Sequence, residues 1–130
     1  MQSSPRQLRR CDERLATSLV RAGDVLRIDF GVPVGSSPGF QRPAVVVTSD
    51  VVLRHGQPTF HVVPITSKLE REYASDVAVE ATGLTTSSVA QCHLLAVVAA
   101  EQVLDDDLGN VGAIVLAQIR SVIADLLELP

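Results

Sequence analysis

Apolar and polar residues alternate along several short stretches of the chain, which is typical of half-buried β-strands. Residues 25–30 show this most clearly, because Leu26, Ile28 and Phe30 are separated by charged side chains. Residues 43–49 form a largely apolar, β-branched run instead, which predicts a strand buried on both faces. Further strands are predicted at residues 59–65, 76–81 and 88–98, the last as either one strand or two short ones.

The C-terminal stretch changes from this two-residue period to helical spacing. Apolar residues recur every two to four positions over residues 111–129, which predicts a terminal helix, and Asn110 is placed to cap its start. A shorter helical pattern covers residues 12–21, whereas residues 31–41 and 104–109 predict irregular loops. Short strands followed by one terminal helix favour a mainly β, α+β fold in which a helix covers an antiparallel sheet or small barrel.

Length and charge divide the chain into two unequal parts. A chain of 130 residues with 46% apolar residues predicts one domain with a packed core. Residues 1–22 carry five basic and two acidic side chains, whereas residues 23–130 carry six basic and thirteen acidic ones. We therefore expect a basic N-terminal extension, partly disordered or a short helix, before a domain at residues 23–130. An acidic domain is a poor general binder of nucleic acid, and only 3% aromatic residues leave few rings on which bases would stack.

The composition predicts a cytoplasmic protein that needs no metal. Two cysteines, Cys11 and Cys92, do not make a disulfide framework and fit a reducing compartment. No apolar stretch is long enough for a membrane span or a signal peptide, so we expect no contact with a membrane. The three histidines are scattered, and neither a glycine-rich phosphate loop nor a serine-hydrolase elbow occurs. We therefore expect no metal ion and no cofactor.

Polar side chains lie where the predicted strands end. Arg42 precedes Pro43, which biases it towards an extended conformation at the start of a buried strand. Gln91 and His93 are two residues apart, so a strand would point both to the same side. Each of these side chains also has an ordinary interpretation, as a strand cap, a solvated charge or a core histidine. The candidate set is Arg42, Thr66, Lys68, Gln91 and His93, with Ser36 and Ser37 on the preceding loop.

Four sequence motifs resemble those of the MazF/PemK/Kid family of toxins. They are Arg21-Ala22-Gly23-Asp24-Val25, then Gly35-Ser36-x-x-Gly39-x-x-Arg42-Pro43-Ala44-Val45-Val46-Val47, then Val63-Pro64-Ile65-Thr66-Ser67, and finally Ser88-Val89. The resemblance covers about residues 21–129 and leaves out the basic extension. It implies a small SH3-like antiparallel barrel of the MazF/CcdB type that assembles as a homodimer. Residues 94–100 and the terminal helix are candidates for either the dimer interface or the core.

The resemblance also implies an activity and a site. Family members are metal-independent endoribonucleases that cut single-stranded RNA, and a cognate antitoxin neutralises them. The RNA 2′-hydroxyl attacks the adjacent phosphorus, which leaves a 2′,3′-cyclic phosphate. The key arginine and threonine of the family fall on Arg42 and Thr66, and we add His93 as a hypothetical proton-transfer group. The RNA-binding candidates are Ser36, Ser37, Arg54, Lys68 and Gln91.

Several positions depart from the family pattern, and they keep a second function open. His93 replaces an acidic residue of many relatives, Gln91 replaces an arginine, and Ser37 replaces a glutamate. The usual Asn-Arg after the second strand reads Leu53-Arg54. Because basic groove positions are lost, the alternative is a weakly active or inactive relative that acts by binding a protein, either an antitoxin or a gyrase-type target.

Overall fold

The computed structural model describes residues 19–70 and 73–130 of the chain. The strands that these residues form all pair antiparallel, in the order β4-β5-β3-β2-β1-β7, and β6 pairs with β3. The mainly β fold with a terminal helix is thereby confirmed. The elements are β1 (Val25–Asp29), β2 (Gln41–Val46), α1 (Asp50–Arg54), β3 (Thr59–Thr66), β4 (Asp76–Val79), β5 (Ser88–Gln91), β6 (Ala96–Ala99), β7 (Val103–Asp105) and α2 (Ala113–Leu126).

Strand β3 is the centre of the sheet, because it pairs with three other strands. One side pairs with β2, while the other pairs with β6 along its first four residues and with β5 at its last two. A 3₁₀ turn at Cys92–Leu94 separates β5 from β6. The apolar stretch at residues 88–98 is therefore two short strands, the second of the two alternatives left open by the sequence.

Both faces of β2 and β3 are buried at residues 44–46 and 62–65, which agrees with the β-branched run in the sequence. Val45 belongs to one apolar cluster, and its neighbour Val46 belongs to another. Helix α2 covers the first cluster with Leu116 and Ile119. The second cluster contains Leu53 of α1. The two clusters pack against opposite faces of β2 and β3, and both strands end at the polar residues described below.

Two sequence predictions near the C-terminus are wrong. The predicted loop at residues 104–109 begins instead with strand β7, which pairs with β1 and whose Asp105 contacts the Arg27 side chain at 3.2 Å. Acidic side chains do not prevent pairing at the edge of a sheet, where they face solvent. Asn110 does not cap the helix, because Gly112 precedes its first residue. Its side chain instead donates to the Ala22 carbonyl oxygen at 3.1 Å and accepts from the Gly112 N–H at 2.7 Å.

Helix α1 is absent from the sequence predictions, and the only sequence feature that marks it is its first turn. The Ser49 hydroxyl oxygen accepts a hydrogen bond from the Val52 N–H at 3.3 Å, and Asp50 lies in the first turn. A serine followed by an acidic residue is a common helix start, but five residues are too few to show a helical period.

The basic extension and the short helix at residues 12–21 stay predictions, because most of these residues are not described. Residues 12–18 of the predicted short helix lie outside the described residues, and so does most of the basic extension. Val20 is buried against the second apolar cluster. No helix within residues 19–70 and 73–130 is long and apolar enough to cross a membrane.

Candidate active site

The ends of three adjacent strands bring Arg42, Thr66 and Gln91 together. Ala44 pairs with Pro64 and Val46 with Val62, and continuing this register places Arg42 opposite Thr66. On the other side of β3, Thr66 pairs with Val89, two residues before Gln91. Because the apolar parts of β2 and β3 are buried, the positions of these strand ends are fixed by the core.

Arg42 is half-buried and is held by an amide. Its Nη1 atom donates to Gln91 Oε1 at 3.3 Å. Among the described residues, no carboxylate forms an ion pair with Arg42. A guanidinium has five N–H donors, so most of them are left for an anion such as a phosphate. Gln91 therefore positions the side chain without neutralising its charge.

Thr66 and Lys68 add two further donors beside the guanidinium. The Thr66 hydroxyl oxygen accepts a hydrogen bond from the Lys68 N–H at 3.1 Å. A hydroxyl that accepts one bond can still donate its own proton, so Thr66 can donate to an anion. The Lys68 side chain is exposed, and both residues line the same cleft as Arg42.

We call this depression the Arg42 cleft, and it has two compartments that share Arg42, Thr66 and Lys68. The first, of about 410 Å³, is lined by Phe40 and by the loop at residues 83–86. The second, of about 320 Å³, is lined by Glu70, Tyr73 and Gln91. The three shared donors lie at the junction, so a chain that passes through both compartments would place a backbone phosphate against them.

His93 lies next to the cleft but not where a strand would place it. Strand β5 ends at Gln91, and His93 belongs to the 3₁₀ turn, so the expectation that the two residues alternate along one strand is wrong. The His93 ring packs against Tyr73 with centroids 4.5 Å apart, and its Nδ1 lies 3.4 Å from the Ser75 hydroxyl oxygen. Tyr73 lines the cleft and so connects the histidine to it.

Three predicted RNA-binding residues do not line the cleft. Ser36 and Ser37 are exposed on the loop between β1 and β2, where the Ser37 hydroxyl accepts from the Val34 N–H at 2.8 Å. Arg54 is exposed at the end of α1, next to the buried Leu53. Lys68 and Gln91 are the two RNA-binding candidates that the structure places with Arg42 and Thr66.

Residues that the sequence analysis missed complete the cleft. Phe40, Glu70 and Tyr73 all line it. None of them belongs to a period or a motif that singles it out. The one available signal was the rarity of aromatic residues, because Tyr73 is the chain's single tyrosine.

The free thiol of Cys92, next to the cleft residue Gln91, is buried. Burial raises the pKa of Cys92 from an ordinary value of 9.0 to about 11, and the negative charge of Asp76 adds to the effect. A neutral, buried thiol is a poor nucleophile. Within residues 19–70 and 73–130, no group of three or more histidine, cysteine, aspartate or glutamate side chains could hold a metal ion.

The sheet and its cleft define a small β-protein with cationic and hydroxyl side chains gathered at the ends of paired strands. Comparison with known proteins identifies the family. Residues 21–127 match the model of the PemK-like, MazF-like toxins of type II toxin–antitoxin systems. The chain therefore belongs to this toxin family, which confirms the resemblance drawn from the four motifs.

Individual relatives agree with the family model. Endoribonuclease MazF9 of Mycobacterium tuberculosis (strain ATCC 25618 / H37Rv) is 35% identical over 107 residues, which are 78% of this chain and 90% of the relative. MazF of Deinococcus radiodurans superposes with a TM-score of 0.72 at 24% identity, over 85% of this chain and 97% of that chain. A mycobacterial endoribonuclease, solved in complex with its cognate antitoxin, superposes with a TM-score of 0.67 at 23% identity, over 85% and 97%. These two structures show the fold.

Proposed function

We propose that this toxin is a metal-independent endoribonuclease that cuts single-stranded RNA at specific sequences. The observation that carries the proposal is the junction of the Arg42 cleft, where a guanidinium unpaired with any described carboxylate lies beside the Thr66 hydroxyl and the Lys68 ammonium. Such donors fit a phosphate whose negative charge increases during reaction. The name of MazF9, an endoribonuclease, supports the same activity.

RNA supplies its own nucleophile in this reaction. The 2′-oxygen forms a bond to phosphorus while the bond from phosphorus to the 5′-oxygen breaks. The products are a 2′,3′-cyclic phosphate and a free 5′-hydroxyl. One proton leaves the 2′-hydroxyl and one reaches the departing 5′-oxygen, so the net proton count is unchanged. The protein must position the phosphate, stabilise the phosphorane and move these protons.

Each task has a candidate side chain. Arg42 binds two phosphate oxygens with its planar fork, and Thr66 donates to one of them. His93 transfers a proton through Nε2, since its Nδ1 lies beside the Ser75 hydroxyl. Gln91 positions Arg42 through the 3.3 Å hydrogen bond. Lys68 binds the neighbouring backbone, and Ser36, Ser37 and Arg54 would contact only RNA that extends beyond the cleft.

The proposal includes partners and a compartment. The relative solved with its cognate antitoxin supports neutralisation of this toxin by an antitoxin of its own. The presence of only two cysteines supports a location in the reducing cytoplasm. Exposed apolar side chains on β6 and α2 support assembly as a homodimer. They are Val97, Ile114 and Leu126, with Leu127 just after the helix.

The test is cleavage of a long single-stranded RNA by the purified full-length protein in EDTA. We expect discrete cuts that leave cyclic phosphate and 5′-hydroxyl ends, and we expect Arg42→Ala to abolish them. Arg21→Ala is the matched control, because Arg21 is an exposed arginine outside the cleft. Intact RNA with folded wild-type protein would contradict the proposal and favour the alternative, a toxin that acts by binding a protein.

A further inference from the structure

Two of the four aromatic rings of this protein line the Arg42 cleft. The chain has three phenylalanines, one tyrosine and no tryptophan. Phe60 is buried in the core, and Phe30 packs against the second apolar cluster. The other two rings, Phe40 and Tyr73, are 67% and 43% exposed, and each lines one compartment of the cleft. The low aromatic content argued against a platform for bases, but the fold places half of the rings there.

The backbone holds Phe40 in place. Its N–H donates to the Gly31 carbonyl at 2.6 Å, and its carbonyl accepts from the Phe30 N–H at 2.8 Å. Its φ of 57° lies in the left-handed region, which bulky side chains rarely adopt. Gly39 lies so close to Pro33 that an added Cβ would be 2.4 Å from the proline ring. A strained, fixed backbone beneath an exposed ring is characteristic of functional sites.

Tyr73 is fixed in a different way. Its N–H donates to Asp76 Oδ2 at 3.1 Å, and its carbonyl accepts from the Asp76 N–H at 2.9 Å. The His93 ring packs on it at a centroid distance of 4.5 Å. The ring is therefore held by its backbone hydrogen bonds and by the histidine, and it borders the cleft that contains Arg42.

The two rings line different compartments of the cleft. Phe40 lines the first compartment and Tyr73 the second, and both compartments share Arg42, Thr66 and Lys68. We propose that Phe40 and Tyr73 are stacking platforms for the two bases that flank the scissile phosphate. This inference rests on the proposed function as an enzyme of single-stranded RNA.

Stacking also explains how an acidic domain could bind RNA. Residues 23–130 carry more than twice as many acidic as basic side chains, so counterion release alone gives this domain little affinity for RNA. Stacking of a base on an aromatic ring needs no charge and tolerates every base. Affinity that depends on two rings and few cations should fall only weakly with salt.

The experiment pairs each ring with a base. The RNA spans a mapped cleavage site and carries a 2′-O-methyl group on the attacking sugar, which prevents cleavage. Phe40→Ala and Tyr73→Ala should each weaken its binding about tenfold. Removing one flanking base, with an abasic nucleotide, should weaken wild-type binding by a similar factor. The alanine variant that lacks the matching ring should bind this abasic RNA almost as tightly as it binds the intact RNA.

Controls separate stacking from damage to the fold. Tyr73→Phe keeps the ring and should bind like wild type, whereas Phe40→Leu keeps apolar bulk but should still lose affinity. Val32→Ala removes an exposed apolar side chain from the same loop, outside the cleft, and should change nothing. Because Tyr73 is the single tyrosine and there is no tryptophan, its fluorescence should be quenched by this RNA and less by the matching abasic RNA.

The outcomes distinguish the platform from the proposed function. If the wild-type protein cuts RNA and both alanine variants bind it as tightly as wild type, the platform is wrong and the endoribonuclease stands. The platform would also be overturned if an abasic nucleotide weakened binding equally in wild-type protein and in the variant that lacks the matching ring. If wild-type protein neither cuts nor binds any RNA, the proposed function fails, and the platform fails with it.

Discussion

The middle of strands β2 and β3 and the ends of the same strands have opposite character. In the middle, Ala44, Val46 and Val62 have no exposed surface and belong to one apolar cluster with Phe60. At the ends, only a few residues away, Arg42 and Thr66 are half-exposed and face a cleft. One pair of strands therefore contains both fully buried core residues and the polar side chains of the proposed active site.

The difference shows how the two regions divide their roles. The core fixes the register of β2 against β3, and that register alone places Arg42 opposite Thr66. We expect the cleft to contribute less to folding, because Arg42 and Thr66 are only half-buried and Lys68 is exposed, so they remove little apolar surface from water. Substitutions in the core should therefore change stability, and substitutions in the Arg42 cleft should change activity.

The largest expected effect is in the core. Phe60, at the start of β3, is 1% exposed. Phe60→Ala removes this buried ring and leaves a cavity, so it should lower the free energy of unfolding by about 3–5 kcal/mol. Urea denaturation measures the loss, and Phe60→Leu, at about 1–2 kcal/mol, gives a readable value if the alanine variant does not fold. Cleavage per folded molecule should be unchanged. A large drop in that rate would mean that the two regions are coupled.

The matching substitution in the cleft is Arg42→Lys. It keeps the charge but loses the planar fork, so the single-turnover cleavage rate should fall about hundredfold. Its free energy of unfolding should stay within about 0.5 kcal/mol of wild type. Full activity in the lysine variant would show that charge alone suffices. A stability loss like that of Phe60→Ala would show that the arginine is structural.

The regions also differ in how far the sequence predicts them. The core follows from alternation and β-branched runs, so β1, β2 and β3 were found, although β2 ends at Val46 rather than at residue 49. Arg42 and Thr66 were found because a motif marks both, whereas Phe40 and Tyr73 belong to no pattern. They enter the cleft through loop conformations, which depend on the hydrogen bonds of Phe40 with Gly31 and Phe30 and of Tyr73 with Asp76. Neither set of bonds shows as a period in the sequence. His93 was found by residue type, but its backbone is a 3₁₀ turn that alternation does not reveal.

A third prediction concerns the boundary between the regions, where buried Cys92 follows the cleft residue Gln91. The pKa of Cys92 is raised from 9.0 to about 11 by burial and by the charge of Asp76. The folded state thus keeps the thiol proton at a pH where the unfolded chain loses it. This contribution to stability is fully present below pH 9 and is lost as pH rises from 9 to 11, by about 2–3 kcal/mol.

Cys92→Ala isolates that contribution, because the other titrating groups are common to both proteins. The variant should be less stable than wild type at pH 7.5, and the difference should shrink or reverse by pH 11. Urea denaturation across this range measures both proteins. A constant difference at every pH would mean that the thiol titrates alike in the folded and unfolded chains, and that this part of the boundary is open to water.

The smallest effect tests whether the cleft carries strain that the core does not. Phe40 has a φ of 57° and a ring that is 67% exposed. Phe40→Gly removes strain of about 1 kcal/mol and adds a smaller entropic cost of the glycine, so we expect a net gain in stability of about 0.5 kcal/mol. Phe40→Ala is the matched control, because it removes the same ring but keeps a side chain in the left-handed conformation.

The two Phe40 variants should differ in stability but not in binding. Both should bind the uncleavable RNA about tenfold more weakly than wild type, while only the glycine variant gains stability in thermal and urea denaturation. Such a result would mean that the ring is retained for a ligand at the expense of the fold. If the glycine variant is instead less stable than wild type, the ring contributes to packing, and the cleft differs less from the core than its geometry indicates.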